Sequence, residues 1–126
     1  MVVVDTSALV DYLLGDDWAT TCLGAEERFH APYVLDVEVF GVCQSLARRG
    51  LLSRRRALST LEDYVALRID RYPHVPLLTG MWRLRENVAA RDAAFVALAD
   101  VLDAELVTTD RRLARAVAGR VRVIAP

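Results

Sequence analysis

Four acidic residues, Asp5, Glu38, Asp92 and Asp110, are the side chains of this sequence best placed to do chemistry. Asp5 ends the run Val2-Val3-Val4 and leads into Thr6-Ser7-Ala8-Leu9. Asp110 ends Leu106-Val107-Thr108-Thr109 and leads into Arg111-Arg112-Leu113. Both read as a strand, an Asp, then a helix. Glu38 stands among Val37, Val39 and Phe40 in the first turn of a helical pattern. Asp92 opens the segment Ala93-Ala94-Phe95-Val96-Ala97-Leu98-Ala99, which is apolar nearly all round. An acid leading into apolar surroundings needs a partner. No Arg shares a local face with these acids except Arg91 and Arg111, their chain neighbours. Carboxylates that converge without cations repel one another, and some take up protons. A divalent cation resolves that conflict, and ligands that are all oxygen point to Mg²⁺ or Mn²⁺. Each acid taken singly also reads as a helix cap or an ordinary first-turn acid, and that reading stays open.

The elements that must position these acids alternate. Apolar, β-branched runs at Val2–Val4, Phe29–Ala31, Leu67–Arg71, Glu105–Thr109 and Val121–Ile124 read as strands. Helical patterns lie between them. Thr6 or Ser7 is expected to cap one that runs through Leu14 and stops at Gly15; a second begins at Asp16 or Asp17 and runs to about Glu27. Asp36 is expected to cap a long helix ending at Gly50, and Ser53 another. Leu77 to Asn87 reads as helical, Asp92 as the cap of a helix to about Leu102, and Asp110 as the cap of the last. Strands separated by helices pair in parallel and carry helices on both faces, an α/β layered architecture. Ligands of such sheets bind beyond the carboxyl ends of the strands. If the strands ending at Asp5 and Asp110 are neighbours, the two acids face each other there, and helix starts bring Glu38 and Asp92 to the same crevice.

Length and composition set limits. The chain has 126 residues, enough for one domain, and 54% of them are hydrophobic, too many for a disordered chain. No apolar run approaches a membrane span, and the N-terminus lacks a basic leader, so a cytoplasmic protein with no membrane role is expected. Cys22 and Cys43 lack metal spacing and read as reduced, buried thiols. All sixteen basic residues are Arg. The absence of Lys excludes P-loop NTPases, and it excludes phosphatases that need a Lys beside a nucleophilic Asp. No His falls in an acidic motif, so histidine acid–base cleavage is not expected. His30 and His74 read as structural or exposed. Met81 and Trp82 read as core or as a dimer interface.

Four ordered motifs carry a resemblance: Val3-Val4-Asp5-Thr6-Ser7-Ala8-Leu9; Pro32 followed by Glu38-Val39; Arg85-Glu86-Asn87-Val88 leading to Asp92-Ala93-Ala94-Phe95-Val96-Ala97-Leu98-Ala99; and Leu106-Val107-Thr108-Thr109-Asp110-Arg111-Arg112-Leu113. In these the sequence, over residues 1–126, resembles PIN-domain proteins, close to the VapC-type toxins of bacterial toxin–antitoxin pairs. The resemblance implies a three-layer sandwich with a central five-stranded parallel sheet flanked by helices, commonly as a homodimer. It implies that Asp5, Glu38, Asp92 and Asp110 hold Mg²⁺ or Mn²⁺, with Thr6, Ser7 and Thr109 supporting them. It implies single-stranded or looped RNA as substrate, and a cognate VapB-like antitoxin that inserts a segment into the groove. Some relatives carry a further acid one turn after the third, where this sequence has Val96.

A divalent cation lowers the pKa of a bound water and neutralises phosphate charge. Products ending in 5′-phosphate and 3′-hydroxyl are therefore expected. Arg85, Arg91 and Arg111 lie near the acids and are the expected RNA contacts, since guanidinium suits phosphate. Arg48, Arg49 and Arg54 to Arg56 bracket Gly50-Leu51-Leu52 and read as solvated turn residues, with contact to RNA or a partner as the alternative. Leu9, Leu13, Phe40 and the Leu51-Leu52 corner are expected to offer an apolar trough to a partner helix. The alternative function is a catalytically inactive PIN-like module that binds RNA or protein.

Overall fold

Val2, Val3 and Val4 are each at most 3% exposed in the computed structural model, which describes residues 1–126. Successive side chains of a strand point to opposite faces. Burial of all three therefore means that both faces of β1 (Val2–Val4) are covered, the condition of a parallel sheet between helical layers.

The strands β1, β2 (Phe29–Pro32), β3 (Ile69–Tyr72), β4 (Glu105–Val107) and β5 (Val123–Ile124) form one sheet in the order β3-β2-β1-β4-β5. All four pairings are parallel. Helices α1 (Thr6–Leu13), α2 (Asp17–Leu23), α3 (Leu35–Arg48), α4 (Arg54–Ala66), α5 (Leu78–Arg83), α6 (Ala90–Leu102) and α7 (Arg111–Val117) fill the connections. The α/β class and the five-stranded parallel sheet expected above are both present. Between β1 and β4 the strand order reverses direction, which is the switch point where open α/β sheets form a crevice.

One layer joins α1 to α2 and α3, and α3 to α4; in the other, α5 packs on α6, and α6 crosses β1, β2 and β4. From Ala93 to Ala99 every residue of α6 is buried, as its all-round apolar sequence implies. Val96 is fully buried, so no further acid points from that turn. No helix is long and apolar enough to cross a membrane.

Several local expectations differ from the structure. Asp5, not Thr6 or Ser7, caps α1: its backbone is extended and its side chain accepts the Ala8 N–H. Asp36 caps nothing. Its helix begins a residue earlier, and its carboxylate instead accepts hydrogen bonds from Tyr64 and Arg71, which tie α3 to α4 and β3. Asp92 lies inside the first turn of α6 rather than at its cap, because Ala89 is the last extended residue. Leu77 to Asn87 is not one helix. A 3₁₀ turn at Val75–Leu77, containing Pro76, precedes a short α5, and the chain then turns through Leu84 to Val88. Cys43 is buried, but Cys22 is only partly so. Trp82 is 66% exposed, so it is no core residue.

Candidate active site

The pairing of β1 with β4 fixes the two strand-ending acids. Val4 pairs with Val107, and the Asp5 N–H donates to the Val107 carbonyl at 3.0 Å. The next residues, Asp5 and Thr108, are therefore neighbours across the seam. Asp5 is 7% exposed. Its Oδ1 accepts the Ala8 N–H at 2.9 Å and the Ser7 hydroxyl at 2.8 Å. Its Oδ2 accepts the hydroxyl of Thr108. Thr108 Oγ1 in turn accepts the Asp110 N–H at 3.0 Å. Asp110 Oδ1 caps α7, taking the N–H groups of Arg112 and Leu113 at 2.9 and 3.0 Å. Both Asp residues thus act as caps and remain at the crevice; the two readings of each are compatible.

Glu38 arrives in the first turn of α3. His74 helps seat that helix, since its Nε2 accepts the Val34 N–H at 2.9 Å. Glu38 Oε1 accepts the Thr6 hydroxyl at 2.9 Å, and Oε2 lies 3.7 Å from Arg91 Nε. Asp92 stands in the first turn of α6 with no hydrogen bond to its carboxylate.

These four acids line one groove of about 940 Å³ beyond the carboxyl ends of β1 and β4. Thr6, Ser7, Thr109 and Arg91 line it too. As placed, no three of the carboxylates stand close enough to close around a single ion. Their electrostatic coupling is nonetheless evident. Burial pushes the Asp5 carboxyl above its usual range, against the pull of the bonds from Ala8, Thr108 and Ser7, and Asp92 adds to the rise. Burial likewise raises Asp92, with Asp110 adding to it and Arg91 opposing it. In both groups burial is the larger cause and a neighbouring carboxylate the smaller one.

The remaining expectations divide. Thr6 and Ser7 each bond an acid, whereas Thr109 lines the groove and bonds none; Thr108 fills the supporting role expected of Thr109. Arg85 turns away, stacking its guanidinium 4.3 Å from the Trp82 ring and pairing with Glu86. Arg111 starts α7 but is not part of the groove lining. Arg49 lines the groove, which favours the alternative reading of it as a contact residue: it caps the C-terminus of α3 on the face that carries Glu38 and Ser45. Its signal was the helical spacing from Glu38. The apolar lining is Val10, Leu14, Val37, Val42, Leu46 and Phe95 rather than the trough expected from sequence. Leu9 is fully buried, while Phe40 and Leu51 are exposed outside the groove.

Neither histidine lines the groove. His30 is buried in β2 with Nδ1 2.8 Å from the Tyr72 hydroxyl.

Known proteins resemble this chain in sequence and in fold. The PIN domain family profile matches residues 2–119. A VapC ribonuclease of Mycobacterium bovis, Mb0985, is 40% identical over 113 residues, covering 90% of this chain and 88% of that one. Among solved structures, a toxin–antitoxin complex from Klebsiella pneumoniae superposes with a TM-score of 0.68 at 21% identity, covering 98% of this chain and 96% of that one. Mycobacterium tuberculosis VapC20, described as a sarcin–ricin loop cleaving toxin, gives 0.70 at 17% identity over the whole of both chains. With its sheet order, its acid-lined switch point and a profile match over most of its length, the chain belongs to the PIN-domain family, and its similarity within that family runs to the VapC ribonucleases.

Proposed function

We propose that this protein is a Mg²⁺- or Mn²⁺-dependent endoribonuclease toxin, restrained by a cognate VapB-like antitoxin and acting in the cytoplasm, commonly as a homodimer. The observation that carries the reading is the arrival of Asp5, Glu38, Asp92 and Asp110 in one groove at the β1–β4 switch point. The names of its relatives support the ribonuclease and toxin parts, and the Klebsiella complex supports an antitoxin.

The donor set fits a hard divalent cation: it is all carboxylate, and burial and mutual repulsion hold Asp5 and Asp92 above their ordinary pKa, so a cation is welcome there. Asp5, Glu38, Asp92 and Asp110 would hold it. Such an ion supplies charge neutralisation at the scissile phosphate and an acidified water. The chain's own residues do the positioning. Ser7, Thr108 and the Ala8 N–H fix the Asp5 carboxylate, and Thr6 fixes one oxygen of Glu38. Arg91 is the groove-lining guanidinium nearest the acids and takes a phosphate of single-stranded or looped RNA. Hydrolysis in this arrangement leaves 5′-phosphate and 3′-hydroxyl ends.

The test is cleavage of single-stranded and looped RNA by the purified chain with Mn²⁺, with Mg²⁺ and in EDTA. Cleavage that needs either ion supports the reading, and full activity in EDTA overturns it. RNA or antitoxin binding with no cleavage under any of these conditions would establish instead the module that binds without cutting.

A further inference from the structure

Arg91 is the cation that reaches the acids from within the chain. Its Nε lies 3.7 Å from Glu38 Oε2, and it makes no second ion pair. The two partners are unlike. The Glu38 side chain is 14% exposed and held at its other oxygen by Thr6; the Arg91 side chain is 74% exposed. One end of the pair is fixed, and the other is a long side chain free to move through solvent. The oxygen of Glu38 that faces Arg91 is the one Thr6 leaves free, and so the one open to a second cation. As placed, no three of the acids close around a common point.

We propose that Arg91 and a divalent cation compete for Glu38, so that Arg91 neutralises Glu38 before the cation binds and is handed over to an RNA phosphate afterwards. This rests on the metal-dependent ribonuclease reading above. The physics favours the exchange in one direction. An ion of charge +2 among several carboxylates outbids an exposed monovalent group whose pairing is weak. Once displaced, the guanidinium stays at the groove, because Arg91 is the residue before Asp92 in α6. A free planar fork beside the acids matches a phosphate bidentately. Cation and RNA then help each other to bind: the cation releases the anchor, and an occupied anchor no longer opposes the cation.

The experiment is a calorimetric titration of the full chain with Mn²⁺ alone, comparing wild type, Arg91→Ala and Arg111→Ala. Arg111 is the control: it has the same charge and follows Asp110, but pairs with no acid. Arg91→Ala should bind Mn²⁺ about two- to five-fold tighter, the range by which an exposed ion pair competes. Arg111→Ala should match wild type. Arg91→Gln, which keeps most of the side-chain length, should repeat the gain and guards against a misfolded alanine variant. Equal or weaker binding by both Arg91 variants overturns the proposal and leaves the metal reading standing. The same gain in Arg111→Ala also overturns it, by showing only a general field. No Mn²⁺ binding by any of the proteins overturns the proposal and the metal reading together.

Discussion

Thr108 donates its hydroxyl hydrogen to Asp5 across the seam between β4 and β1, and the same oxygen accepts the Asp110 N–H. One fully buried hydroxyl thus joins two acids that belong to different motifs. Thr108→Val keeps the shape and removes the bond, leaving a buried carboxylate and a backbone N–H short of a partner. An unsatisfied buried polar group costs about 1–3 kcal/mol. Denaturant unfolding should show a loss of that size, and RNA cleavage should fall further than in Thr109→Val. Equal effects of the two substitutions would deny Thr108 its special place.

Asp5 combines capping with a proposed ligand role, and Asn separates them. Asn caps a helix nearly as well as Asp. Asp5→Asn should therefore fold, while cleavage falls by on the order of 10²-fold or more as a charge leaves the site. Wild-type turnover in a folded Asp5→Asn protein would reduce the residue to its cap.

His30 predicts how stability responds to pH. Burial, the largest influence, lowers its pKa from 6.5, and the charge of Asp70 only partly offsets this. The unfolded chain therefore binds this proton more readily than the folded one. The sign follows: the stability present above about pH 6.5 is lost as pH falls through the lowered pKa of the folded state. Thermal unfolding followed below pH 6.5 should show this decline, and His30→Gln should flatten it. An identical slope in the variant would place the acid sensitivity elsewhere.

The groove makes a prediction about the antitoxin. Beside the four acids lie Val10, Leu14, Val42 and Leu46, an apolar strip suited to the side of a partner helix. A partner seated there should carry a basic residue to the acids, where charge-assisted bonds form. Changing the basic residues of an antitoxin fragment to Ala one at a time should weaken both binding and inhibition at one position or more. Excess Mg²⁺ should erode the same contact. Unaffected binding and inhibition across the whole series would move the partner off the groove.

Much of this arrangement was legible in the residues. Strand, Asp, helix is a local grammar, and it located both Asp5 and Asp110. The apolar circumference of Ala93 to Ala99 announced a buried helix behind Asp92. What escaped depended on knowing which residue is the last extended one, or on contacts between distant segments. Asp92 and Asp36 have the residue type of caps, but their helices begin before them. Thr108 and Thr109 are identical in type. Only the register of β4 on β1 sets the first against Asp5. Arg85 sits in a matching motif, yet Trp82, three residues earlier on the same turn, captures its guanidinium. Local spacing made that stack visible in principle, whereas the approach of Arg91 to Glu38 joins two helices and was not.

Asp5 and Thr108 are 103 residues apart, and their strands are only three residues long. In synthesis from N to C terminus, Asp5 is made 103 residues before the threonine it pairs with. Throughout that interval the growing polypeptide displays one corner of a groove whose other wall does not yet exist. The cleft can therefore assemble only once β4 and Thr108 have emerged from the ribosome. Messages cut short before Thr108 yield fragments that cannot complete it.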